Sequence, residues 1–147
     1  MAADVKLPEF SQEIADRFMA ANDQLTGLPE FLGLRITEIT PGRLTAEMQA
    51  EPRLHTPFGN MHGGVLSAMC DHVLGCVCYP HMKPGQWAAT TEFKINLLAP
   101  VTEGTVRATA HIVSMTRSTA VVRIDVENQG RLCGLAQGTV LIRDPKK

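Results

Sequence analysis

Nothing in this 147-residue chain approaches the roughly 18 consecutive apolar residues of a membrane-spanning helix. Residues 1–10 (Met-Ala-Ala-Asp-Val-Lys-Leu-Pro-Glu-Phe) also lack the apolar centre of a secretory signal, so the expectation is a soluble cytoplasmic protein. Neither sign of charge dominates, with 14 Lys plus Arg against 15 Asp plus Glu. No dense basic stripe precedes the terminal Arg143-Asp-Pro-Lys-Lys147, which argues against nucleic acid and anionic membrane as partners. The five histidines, His55, His62, His72, His81 and His111, contain no His-Glu-x-x-His pattern. The four cysteines include no Cys-x-x-Cys; Cys76-Val-Cys78 is neither a zinc nor a redox spacing, so no metal and no cofactor are expected. Cys70, Cys76 and Cys78 share one apolar segment and Cys133 lies in a strand-like run, which reads as buried thiols. Repeats, low-complexity tracts and linkers are missing. A chain of this length with 44% hydrophobic residues suits one core that buries about two-thirds of its unfolded surface.

What is there concentrates in residues 59 to 71, where a loop turns into an apolar helix at His62-Gly63-Gly64. Asn60 is a favourable N-cap, so the helix is expected to start between Met61 and Gly63. Adjacent glycines cost a helix interior roughly 1 kcal/mol each relative to Ala. In a first turn they leave backbone N–H groups that have no helical partner open to close approach, where they can bind an anion or polarise a carbonyl. A sharp loop-to-helix turn, or an Asn60 side chain bonded to the Gly63 N–H, is the competing explanation. From Val65 to Tyr79 the pattern is apolar or small almost all round, which predicts a buried helix and makes its lone carboxylate, Asp71, costly unless ion-paired or functional. Gly63 and Asp71 stand eight residues apart, about 12 Å along the axis at 1.5 Å per residue. They cannot serve one carbonyl within one helix, so joint action requires a second, antiparallel copy of the helix in a two-fold dimer.

Elsewhere Ile14, Phe18, Ala21 and Leu25 recur at helical spacing from about Ser11 to before Gly27, and Pro29 to Gly33 reads as one more turn. Leu34 to Thr40 and Arg43 to Ala50 flank Pro41-Gly42 as a hairpin. After the helix, period-two patterns run through Phe93, Ile95 and Leu97, then Val106 to Ile112, then Val122 to Val126, and finally Leu132 to Arg143. The expected class is α+β: an antiparallel sheet wrapped around one long helix, with an extra N-terminal helix.

This order, with Phe58-Gly-Asn-Met-His62-Gly-Gly-Val-Leu66 followed by Asp71, and Thr91-Glu-Phe-Lys-Ile-Asn-Leu-Leu-Ala-Pro100-Val followed by Gly104, resembles the hotdog-fold acyl-CoA thioesterases of the PaaI-like family. Ala136-Gln-Gly138-Thr139 adds to the likeness, which covers residues 28 to 143. It implies a hotdog domain over 28–147 after a helical extension over 1–27, an acyl-CoA substrate, and a homodimer assembled as a dimer of dimers. It also implies that the Gly63 N–H polarises the thioester carbonyl, with His62 positioning the turn, and that Asp71 of the opposing subunit is general base or nucleophile. Thr90 falls where related enzymes orient water with a Ser or Thr, although strict alternation puts it on the polar face of its strand. Many relatives carry Asn six residues before the His, where this chain has Thr56. Asn60, Gly64, Thr56, Lys94 and Asn96 are the candidate substrate contacts, the last two toward the CoA phosphates or simply solvated. His62 bridging the loop around His55 to Asn60 is a structural alternative, and His72 is expected to be a satisfied core histidine. The same fold houses acyl-thioester dehydratases and noncatalytic acyl-CoA-binding proteins, so the fold alone does not decide turnover.

Overall fold

The computed structural model describes residues 5–146. Three helices, α1 (Gln12–Ala20), α2 (Gly27–Leu32) and α3 (Gly63–Cys76), accompany six strands: β1 (Arg35–Thr40), β2 (Arg43–Gln49), β3 (Trp87–Leu97), β4 (Thr105–Met115), β5 (Thr119–Asn128) and β6 (Arg131–Arg143). All six strands form one antiparallel sheet in the order β1-β2-β4-β5-β6-β3. The three hairpins β1-β2, β4-β5 and β5-β6 follow from local turn chemistry. Gly42 (φ 71°) closes the first, and Gln129 (φ 51°) with Gly130 (φ 74°) closes the last as the two positive-φ residues a tight hairpin requires. The segment between β2 and β4 makes the long excursion: α3 crosses the sheet and β3 returns at the far edge, beside β6.

Alternation places Leu44, Ala46 and Met48 of β2, Val106, Ala108 and Ala110 of β4, and Val122, Ile124 and Val126 of β5 on the inner face, all at most 2% exposed. Leu66, Met69, Cys70, Val73 and Leu74 of α3 lie on that face and complete the core. Small residues on β6 let the helix come close. A Cβ at Gly138 would stand 2.5 Å from Leu74 Cδ1 and 2.6 Å from the Glu92 carbonyl oxygen, too close for any side chain there.

Ser11 caps α1 by accepting the Ile14 N–H at 3.3 Å, and Phe18 stacks on Tyr79 with ring centroids 5.2 Å apart. This helix ends at Ala20 and continues as a 3-10 turn over Ala21–Gln24, so Ala21 points to solvent rather than to the core. The two sheet edges differ. At β1, Asn22 bonds Ile36 through both its amide groups (2.6 and 2.9 Å) and closes that edge. At β3 no strand pairs with the outer edge among the described residues, and none of its eleven residues is buried.

Candidate active site

The loop before α3 is held shut by its own backbone. The His62 N–H donates to Leu54 O (2.9 Å), Thr56 N–H to Asn60 O (2.7 Å), and Met61 N–H to Val101 O (2.7 Å), while Gly59 turns the chain at φ 83°. Thr56 stitches the turn, donating its hydroxyl to Asn60 Oδ1 (3.1 Å) and accepting the Phe58 N–H (3.2 Å). Asn60 is therefore not the helix cap. Its oxygen is already taken, and the cap is His62, extended at ψ 133°, whose Nδ1 accepts the Gly64 N–H at 2.8 Å. That bond leaves the ring proton of a neutral His62 on Nε2. His62 and the loop are joined through Leu54 and the His55–Met61 bridge rather than through a side-chain bond to Asn60.

With the cap on Gly64, and with Val65 and Leu66 both donating to His62 O (2.9 and 3.3 Å), one first-turn donor is left over. The Gly63 N–H has no acceptor among the described residues. Gly63 lines a pocket of about 240 Å³ with Asn60, Leu66, Leu97 and Val101. A Cβ at Gly63 would stand 2.6 Å from Leu97 Cδ1, and one at Gly64 would stand 3.0 Å from His62 Nδ1. The two glycines thus have separate reasons: the first keeps the donor approachable, and the second lets the imidazole fold back as a cap.

Asp71 corrects the expectation of a carboxylate buried in an all-round apolar helix. It is exposed on the open side of α3, in line with Gly64, Ala68 and Gly75, because one sheet covers only one side of the helix. It has no ion-pair or hydrogen-bond partner among the described residues, so no structural ion pair explains it within one chain. It lines a second, separate chamber of about 150 Å³ with Leu28, Leu32, Leu34, Ala68 and His72. Pattern reading missed α2 as a wall of this chamber, since a six-residue helix has too little length to show a period.

Thr90 is corrected as well. The β3-β6 register slips between Thr90 and Glu92, so Thr91 is a bulge, and Thr90 pairs with inward-facing Val140 while Phe93 pairs with Gly138. Paired residues share a face, so the extra residue turns Thr90 to the helix side of the sheet. Lys94 and Asn96 are on the opposite, outer face, in an open groove of about 520 Å³ shared with Glu92, Arg123 and Gln137. They are not brought to the pockets of Gly63 and Asp71. A cavity of about 610 Å³ lies elsewhere, between the segment around Phe10 and residues 80–86. It borders His81, whose two ring nitrogens bond Gly42 N–H (3.0 Å) and Pro8 O (2.8 Å).

Burial pushes the Cys70, Cys76 and Cys78 thiols up to about 12 and also raises that of Cys133, which disfavours the reactive thiolate form. His72 is half-buried with Nε2 only 3.7 Å from Cys76 Sγ. Burial lowers its pKa, partly opposed by Asp71; burial, then Arg43 and Arg123, lower that of His111 against Asp125. An unfolded chain takes up these protons near the usual 6.5, the folded chain only at lower pH. Their stabilisation is thus complete above that value and is lost as pH falls through the window below it. Urea midpoints should drop from about pH 7 to about pH 5, and His72→Gln should flatten part of that slope; an unchanged slope rules out His72 as a contributor.

Residues 58–134 match the thioesterase superfamily. The 1,4-dihydroxy-2-naphthoyl-CoA hydrolase of Listeria monocytogenes is 28% identical over 82% of this chain and 99% of its own length. The proofreading thioesterase EntH of Klebsiella pneumoniae is 31% identical over 76% of this chain and 82% of its own length. The PaaI protein of the E. coli phenylacetic acid degradation operon has the same fold, with a TM-score of 0.81 at 22% identity over 91% of this chain and 96% of that one. No described helix is long and apolar enough to cross a membrane. The chain belongs to the thioesterase superfamily, a thioester hydrolase on the hotdog fold of the PaaI-like proteins.

Proposed function

We propose that this protein hydrolyses acyl-CoA thioesters at a site shared by two antiparallel copies of α3. The observation that carries the reading is a Gly63 N–H at a helix N-terminus and an Asp71 about 12 Å further along the same helix, neither with a partner among the described residues. In a two-fold pair each Asp71 meets the other copy's Gly63. The Gly63 N–H and the positive helix end stabilise the oxyanion. The partner subunit's Asp71 removes a proton from water as its oxygen attacks the carbonyl carbon, or attacks that carbon itself to form a mixed anhydride that water then hydrolyses, releasing the acid and regenerating the carboxylate. Collapse of the tetrahedral intermediate breaks the C–S bond, and the thiolate leaves and is protonated to free CoA. Thiolate is a good leaving group, so one base and one donor suffice. His62 fixes the turn, and Thr90 orients the water from the helix side of β3.

The unpaired outer edge of β3 and the small residues Gly64, Ala68 and Gly75 beside Asp71 support pairing with a second copy. So do Phe58, 93% exposed, and Leu97 and Leu98, both more than half exposed beside Gly63. Asn60, Gly64 and Thr56 shape the thioester end of the site. Lys94 and Asn96 contact the CoA phosphates where the nucleotide passes over the β3 edge, next to Arg123.

Incubation with acyl-CoA separates the three activities this fold supports. We expect free thiol and free carboxylic acid in equal amounts. An enoyl thioester without thiol would assign dehydration instead, and saturable binding with neither product would assign a noncatalytic binder.

A further inference from the structure

The mechanism assigns no role to α2, yet Leu28, Pro29 and Leu32 of α2 line the chamber that Asp71 borders. Gly33, at φ 65°, ends the helix so abruptly that Leu32 and Leu34 both turn inward, 3% and 1% exposed. They make a floor anchored in the core. Leu28 and Pro29 rise above it as one wall, and Ala68, Asp71 and His72 of α3 form the other, leaving a half-open chamber of about 150 Å³. Apart from Asp71 and His72 the lining is apolar, which suits hydrocarbon better than water. Because Asp71 borders both this chamber and the reacting carbonyl, the group attached to that carbonyl has the chamber as its adjoining apolar space.

Resting on the reading of Asp71 as the reacting carboxylate, we propose that α2 is the acyl ruler of the site, with Leu28 and Leu32 setting the longest acyl group accepted. An apolar cavity of about 150 Å³ holds one benzene molecule. The chamber therefore takes an acyl group of about one aromatic ring or about six chain carbons. A longer chain meets Leu32 and Leu34, which cannot retreat because they are packed in the core, so it must displace Leu28, the half-exposed part of the wall.

The test is thiol release by the full-length protein from straight-chain acyl-CoAs of two to sixteen carbons and from benzoyl-CoA. Since one misfitting methylene in an apolar pocket costs roughly tenfold or more, kcat/KM should rise to about hexanoyl-CoA and fall at least about tenfold by decanoyl-CoA. Leu28→Ala should raise the decanoyl-to-butyryl ratio of kcat/KM about tenfold, and Leu28→Trp should lower the hexanoyl-to-acetyl ratio about tenfold. A merely structural role for Leu28 would scale all substrates by one factor. Ratios that stay within about twofold in Leu28→Ala, or a wild type that accepts hexadecanoyl-CoA as well as hexanoyl-CoA, overturn the ruler while leaving the hydrolase reading intact. A wild type that releases thiol from none of the series overturns both.

Discussion

Asp71→Asn should lower kcat for acyl-CoA hydrolysis at least a hundredfold with the fold and assembly intact, because removing a positioned base typically costs ~10²–10⁴ in rate. The carboxylate makes no ion pair or hydrogen bond among the described residues of its own chain, so its loss breaks no contact among them. If, as proposed, two copies pair around Asp71 and the carboxylate is retained for function at a cost to folding, the variant should melt at or above the wild-type temperature. Steady-state thiol release and a thermal melt on the same preparation check both statements. Activity within about fivefold of wild type would remove Asp71 from the chemistry, and a large fall in melting temperature would mark it as a structural group of the interface instead.

Subunit mixing should show a more diagnostic effect. Gly63→Val puts a branched side chain where Leu97 already stands 2.6 Å from any added Cβ, and it blocks approach to the free N–H. Alone, this variant and Asp71→Asn should each be nearly inactive. Refolded together in equal amounts, they should recover about a quarter of wild-type activity. Half of the dimers are mixed, and each mixed dimer has one site with an intact Gly63 from one chain and an intact Asp71 from the other, while its second site carries both defects. Native mass spectrometry of differently tagged chains establishes that exchange took place. With exchange established, no recovery would refute the shared site.

How legible the site was depended on how local its determinants are. The turn at His62-Gly63-Gly64 could be read directly, because glycine in a first helical turn has few physical reasons to be there. The donor it frees is set by residues within four positions of it. The cap was misread by two residues: Asn60 has the right chemistry, but Thr56 holds its oxygen, and the histidine two residues on takes the Gly64 N–H instead. Thr90 was misread because Thr90-Thr91-Glu92 looks like regular alternation. The bulge at Thr91 exists only in the pairing with β6.

The sequence by itself determined the element order, the Pro41-Gly42 hairpin, the apolar face of β2, β4, β5 and the second half of β3, and the spacing of Gly63 from Asp71. Each of these follows from backbone geometry acting over a few residues: period two, 1.5 Å of rise, and positive φ at particular glycines. Tertiary structure alone decided that Asp71 faces outward, that Thr90 faces the helix, and that α2 walls the chamber beside Asp71. Composition records how apolar a helix is, but not which of its sides the sheet covers. That is decided by how the chain closes over α3, where Gly138 admits Leu74 and leaves Gly64, Ala68 and Asp71 uncovered.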